Sequence, residues 1–209
     1  MAFFDQSRLY PQFVGNSLIL MTMNIAEYAT SIVKLSPTLE QEIGRLLKKE
    51  ELPKKHLLHD EGQICQRIYF VEKGLVRAFY YKDDGKDITD WFAPENSFIT
   101  AVDSFFQQKP SRYFLELLED SVLYSLTYTE LESLYNTDPQ LERLGRLILL
   151  EVFEKSVNRT IALQFQTAQE RYQSFAQTYP TLLQRAPLGH IASFLGITQE
   201  TLSRVRARK

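Results

Sequence analysis

At 209 residues, with 44% hydrophobic and 12% aromatic content, the chain is long and apolar enough to bury one large or two small cores, and a disordered polymer is excluded. A formal net charge of −2 selects no partner by itself. Cys65 is the single cysteine, which excludes an intrachain disulfide and any multi-cysteine iron–sulfur or zinc site and fits a reducing, cytoplasmic setting.

The apolar run SLILMTM (residues 17–23) is too short to span a bilayer, and a signal peptide would need a longer core and a basic start unspoiled by Asp5. We take residues 1–35 as a leader, with Met21 and Met23 as alternative starts that would make residues 1–20 an extension. Ser36-Pro37 supplies an N-cap and a first-turn proline, which predicts a charged helix over residues 38–49. Pro53 ends that phase. From His56 to about Leu126 short aromatic and β-branched runs alternate with turn signals at Asp60-Glu61-Gly62, Glu72-Lys73-Gly74, Asp83-Asp84-Gly85 and Ala93-Pro94-Glu95-Asn96. That rhythm predicts an antiparallel sandwich or barrel of short strands.

Thr127 with Glu130 forms a capping box for a helix through Tyr135, and Asp138-Pro139 opens a long one. Along it Leu141, Leu144, Ile148 and Val152 make one apolar stripe, while Leu150, Phe153, Val157, Ile161 and Phe165 make another. Two stripes call for two partners: the β domain, and either the same helix of a second subunit or more of the helix's own domain. Thr167 to Glu170 is a fresh capping box, so the helix breaks near Gln166. The divisions expected are thus a leader at 1–35, a β domain at 36–137, a long helix at 138–166 and a terminal module at 167–209.

The terminal stretch LGHIASFLGITQETLSRVRARK (residues 188–209) has the spacing of a helix-turn-helix. Ile191, Ala192 and Leu195 supply the first helix's inner face, Gly196 the turn, Thr198 the N-cap of the second helix, and Leu202 and Val205 its inner face. Gln199, Glu200, Ser203 and Arg204 are left outward with chemistry that suits base edges, while Thr198, Thr201, Arg206, Arg208 and Lys209 suit phosphates. An ordinary amphipathic hairpin with a solvated basic end is the plainer alternative. Charge distribution favours the first reading: residues 171–209 hold six basic residues (Arg171, Arg185, Arg204, Arg206, Arg208, Lys209) against Glu200, a balance of +5, which leaves −7 on residues 1–170.

The order of parts, together with IYFVEKGLVRAFYYKDDGK (68–86), AQERYQSFAQTYP (168–180) and IASFLGITQETLSRVR (191–206), resembles the Crp/Fnr family from about Ser36 onward. The resemblance implies an α+β chain: an N-terminal antiparallel β-roll (a double-stranded β-helix of the cyclic-nucleotide-binding kind) with flanking helices, a long dimerisation helix, and a C-terminal winged-helix-type helix-turn-helix domain. It implies a cytoplasmic bacterial transcription regulator, a homodimer through the 138–166 helix on double-stranded DNA at a pseudo-palindromic site, with RNA polymerase as a further contact and no membrane association. In relatives an acid, a small residue and an arginine on the recognition helix read bases; Glu200, Ser203 and Arg204 stand in that pattern.

The sensor half departs from the family. In FITAVDSFFQQKPSRYF (98–114) Thr100-Ala101 stand where relatives carry the Gly-Glu that holds a ribose, and Arg112 lies about one position from the phosphate-binding arginine. These three are the candidate effector residues, the effector is unidentified, and cyclic AMP in the usual manner is not expected. No cofactor or metal is expected either. A rival reading from another class is a cupin-like β-roll metalloenzyme or a small-ligand-binding protein without a DNA role. It would rest on His56 and His59, yet the third histidine, His190, falls in the terminal module.

Overall fold

A computed structural model describes residues 23–207. Arg208, Lys209 and nearly all of the apolar run at 17–23 lie outside the described residues. Two helices come first. In α1 (Ile25–Ile32) Asn24 and Glu27 close a capping box, and in α2 (Pro37–Leu46) the Ser36 hydroxyl accepts from the Leu39 N–H. The second is three residues shorter than its periodicity suggests. Lys48–Leu52, whose first residues fall in the predicted helix tail, is instead strand β1, because its backbone pairs antiparallel with Ser121–Thr127 (β8), Glu50 lying opposite Leu123. Side-chain pattern alone does not reveal this, since an edge strand carries charges where an inner strand would carry apolar residues.

Six strands lie between: β2 (Leu57–His59), β3 (Arg67–Lys73), β4 (Val76–Tyr81), β5 (Asp87–Ala93), β6 (Ser97–Ile99) and β7 (Phe114–Leu117), with the short helix α3 (Val102–Phe105) after β6. They form two four-stranded antiparallel sheets, ordered β1-β8-β3-β6 and β2-β7-β4-β5. The inward period-two positions Val71, Val76, Leu115, Leu117 and Leu123 are fully buried between the sheets. Gly74 turns β3 into β4 at φ 108°, and any Cβ there would strike Ser121, so only glycine fits. The predicted antiparallel architecture is therefore present.

Helix α4 (Tyr128–Thr137) starts at the Thr127/Glu130 capping box, and α5 (Pro139–Phe165) starts at Asp138, whose carboxylate accepts from the Gln140 N–H. The two stripes of α5 separate as their spacing predicts. Leu141 and Leu144 join Leu39, Ile43, Leu126 and Leu134 in a second core beneath α1 and α2. Leu150, Phe153, Val157, Ile161 and Phe165 are exposed, Phe153 to 64% and Phe165 to 79%. The terminal module comprises α6 (Ala168–Thr178), α7 (Leu182–Arg185), α8 (Leu188–Phe194) and α9 (Gln199–Ala207). It answers the winged-helix-type expectation in its helices but not in a wing: among the described residues no strand occurs there, and the stretch between α6 and α8 forms α7.

The roll meets α1 through aromatic edges. Phe70, 1% exposed, packs its ring 5.3 Å from Tyr28 and 5.1 Å from Phe98. Replacing Phe70 with Ala removes both ring pairs and opens a cavity. It should lower unfolding free energy by about 3–5 kcal/mol in a denaturant titration followed by circular dichroism.

Candidate nucleic-acid interface

The turn between α8 and α9 is built by local rules. Gly196 takes φ 65°, its N–H donates to the Ser193 carbonyl at 3.0 Å, and the Ile197 N–H donates to the Ala192 carbonyl at 3.0 Å, which closes the end of α8. A Cβ on Gly196 would also sit 2.9 Å from Leu163 Cδ2, so the turn is pressed against α5. Thr198 caps α9, its hydroxyl accepting from the Thr201 N–H at 3.2 Å. Ile191, Ala192, Leu195, Leu202 and Val205 are buried, as the spacing predicts.

Outward from that core stand Gln199, Glu200, Ser203, Arg204 and Arg206, all exposed. Arg204 is braced from below: Nε donates to the Glu200 carbonyl at 3.4 Å and Nη2 to Thr201 Oγ1 at 3.3 Å. Bonding to its own backbone N–H, then to the Thr198 hydroxyl, holds the Glu200 carboxyl below its ordinary value, so α9 begins with a fixed negative charge. Thr198 and Thr201 are thus partly engaged in capping the helix on which Arg204 sits. Gln199 folds toward α8, its amide nitrogen lying 2.5 Å from where a Cβ on Gly189 would be.

Two of the six basic residues behind the charge argument point elsewhere. Arg171 donates to the Leu195 carbonyl at 2.8 Å and the Gln166 carbonyl at 2.6 Å, tying α6 to the turn and to the break after α5. Arg185 gathers three turns of the β-roll: Nη1 and Nη2 donate to Glu95 at 2.8 and 2.7 Å, Nε and Nη2 to Glu119 at 3.0 and 2.6 Å, and Nη2 to the Gly74 carbonyl at 3.0 Å. The basic footprint among the described residues is therefore Arg204 and Arg206. Sequence reasoning counts charge, and only packing shows which cations already have partners.

The same contacts fix the module on the roll. The Ser193 hydroxyl accepts from the Thr89 N–H at 2.9 Å and donates to the Asp87 carbonyl at 3.2 Å. This caps the outer edge of β5. Leu75, Phe92 and Leu118 of the roll share one core with Phe175, Leu182, Ile191 and Leu202.

The candidate effector residues are divided. Thr100 and Ala101 are buried, and the Thr100 hydroxyl donates to the Arg67 carbonyl at 3.0 Å. Arg112 is exposed, and its backbone N–H donates to Asp103 Oδ2 at 3.2 Å. His56 is exposed, His59 is buried at the end of β2 and His190 lies on α8. Among the described residues no three His, Cys, Asp or Glu side chains gather as a metal site, and no helix is long and apolar enough to cross a membrane.

A two-sheet roll joined through a long helix to a helix-turn-helix defines the architecture of the chain. Residues 49–138 match the family described as "Cyclic nucleotide-binding domain". The chain is 25% identical over 190 residues to the anaerobic regulatory protein of Haemophilus influenzae, covering 81% of this chain and 71% of that one. Its fold is similar to that of FixK2 from Bradyrhizobium japonicum (TM-score 0.66, 20% identity, 78% and 83% of the two chains). It is also similar to the regulator CLP of Xanthomonas campestris (0.65, 15%, 83% and 91%). The catabolite activator protein of Thermus thermophilus is a further likeness (0.55, 19%, 86% and 85%). Residues 49–138 thus form a domain of the cyclic-nucleotide-binding kind, and the fold of the chain is similar to those of these regulators.

Arg185→Ala should leave Glu95 and Glu119 without their cation and destabilise the protein by about 1.5–3 kcal/mol at pH 7. Burial pushes the Glu95 carboxyl up, but the hydrogen bonds from Arg185 and from backbone N–H groups outweigh it and hold the net value below the ordinary 4.5. A lowered folded-state value contributes stability that is present above 4.5 and lost as pH falls through it. The stability difference between wild type and Arg185→Ala, read from melting curves, should therefore shrink as pH falls below 4.5 toward the lowered folded-state value. A pH-independent difference would mean that the pair is not what Arg185 contributes.

Proposed function

We propose that two copies of the chain pair along the exposed stripe of α5 and present their α9 helices to successive major grooves of a pseudo-palindromic site, with half-sites one helical turn apart. One observation carries this reading: α9 buries Leu202 and Val205 and turns Glu200, Ser203 and Arg204 outward on a single face, with Arg204 braced by Glu200 and Thr201. Glu200 suits a cytosine amine and Arg204 a guanine edge; Gln199 and Ser203 flank them. Thr198, Thr201 and Arg206 take phosphates, as do Arg208 and Lys209 by their sequence position. Support for pairing comes from the apolar side chains between Leu150 and Phe165, which give α5 an exposed apolar face among the described residues.

In this reading the chain divides into a leader (1–35), an effector-like roll (36–137), a pairing helix (138–166) and a reading module (167–209). It acts in the cytoplasm with RNA polymerase as a contact and has no catalytic role. Cyclic AMP is not its usual effector.

Arg204→Ala should weaken binding to the preferred site by about 1–3 kcal/mol and relax base choice at one position per half-site in a competition gel-shift assay. Arg206→Ala should instead weaken all sequences alike and reduce the slope of log affinity against log salt by about 1 for each phosphate that Arg206 neutralises. Unchanged base preference in Arg204→Ala would remove that residue from the reading set.

A further inference from the structure

A cavity of about 600 Å3 lies between the roll and the helices α1, α4 and α5, within the range of small-molecule sites, which is roughly 300–1,000 Å3. Its wall is mostly apolar, with Ile25, Trp91, Phe98, Leu131 and Val152 among the larger contributors. Among the described residues the charged groups at this wall are two carboxylates, Asp90 and Asp103, with no lysine, arginine or histidine. Thr100 and Ala101 belong to the wall and Arg112 does not.

Both carboxylates already have partners. Asp103 accepts from the Ser111 hydroxyl at 2.7 Å and the Arg112 N–H at 3.2 Å, so the donors of that loop are turned to the protein's own anion. Asp90 accepts from the Tyr113 hydroxyl at 3.0 Å and from Arg159 at 3.1 Å. An anionic guest would lose its hydration with no cation to compensate it and two negative charges nearby. A cationic guest would have to displace Arg159 from Asp90. The chemistry that matches this wall is a neutral, apolar molecule.

We propose that the cavity is a binding site for a small uncharged lipophilic ligand. This rests on the reading of the roll as an effector-like domain, whose ligand class it names, and does not depend on DNA binding.

The test uses the full-length protein and a matched pair of fluorophores: neutral N-phenyl-1-naphthylamine, and 8-anilinonaphthalene-1-sulfonate, which has the same aromatic frame with an added anion. The neutral dye should bind saturably, one per chain, about ten-fold or more tighter than the sulfonate. Ala29→Phe and Val152→Trp fill the cavity from α1 and α5, and either folded variant should lower affinity for the neutral dye by about ten-fold or more. Circular dichroism confirms folding; if one variant unfolds, the other carries the result. Equal affinity for both dyes would overturn the charge argument. Unchanged uptake in the folded variants would overturn the site. Uptake that vanishes on pairing, read across a protein dilution series, would show that a second copy covers the cavity and would also overturn it. DNA binding plays no part in the readout, so its loss or retention leaves this result separate.

Discussion

The terminal helices do not close a core by themselves. Leu75, Phe92 and Leu118 leave the roll to complete it, meeting Phe175, Leu182, Ile191 and Leu202, and the outward direction of α9 follows from that shared burial. Polar contacts then remove the remaining freedom. Thr89 is fully buried on the outermost strand of its sheet, and its N–H would lack a partner if Ser193 were not placed against it. Arg185 closes the other side by holding the turns at Gly74, Glu95 and Glu119 together. An apolar core sets how close two bodies lie, and directional bonds such as these set the angle between them.

Helix α5 resolves a conflict that follows from its length. One stripe faces the roll and its helices, and Leu141 and Leu144 are buried there; the other apolar face of this 27-residue helix is left exposed among the described residues. Burial is therefore confined to the first turns, and from Leu149 onward apolar side chains reach solvent. The exposed half is also the half that approaches the α8–α9 hairpin, through Leu163 beneath Gly196 and Arg159 beside Phe194. The exposed apolar face and the side chains that touch the hairpin thus lie on the same half of α5.

Legibility in the sequence follows the range of the interactions. Capping boxes at Thr127 and Thr167, the Asp138-Pro139 start, the Gly74 and Gly196 turns and the two stripes of α5 are encoded within a few residues, and all of them are present. Strand β1 is hidden because its ladder partner lies far along the chain, Lys48 opposite Ser125, and its own side chains are mostly charged. Arg171 and Arg185 pass for a basic footprint in the sequence because their acceptors come from other parts of the fold, a backbone turn for one and two distant glutamates for the other. The hairpin face at Glu200, Ser203 and Arg204 is readable since a helix places them together by period alone. The carboxylates facing the cavity are not, since Asp90 and Asp103 come from a strand and a short helix that only the folded sheets bring to one wall.

That wall and the hairpin are joined through one side chain. Arg159 on α5 donates from Nη1 to Asp90, and Nη2 lies 3.4 Å from the Phe194 carbonyl at the end of α8, while its guanidinium stacks 4.7 Å from the centre of the Phe194 ring. A planar group held at both edges and over one face has little freedom to rotate, so the Arg159 plane touches Asp90 and α8 at once. The path is short, and at each step it runs through directional contacts rather than loose packing. Coupling in the thermodynamic sense requires that occupancy at one end and DNA at the other favour the same placement of α8, and the geometry states what that placement must preserve: the Arg159 plane, the Ser193 cap on Thr89 and the core around Phe92. A state that kept all three would hold the Glu200–Arg204 face of α9 outward, and one that broke them would free the module to turn at the extended residue Gln166, where α5 ends.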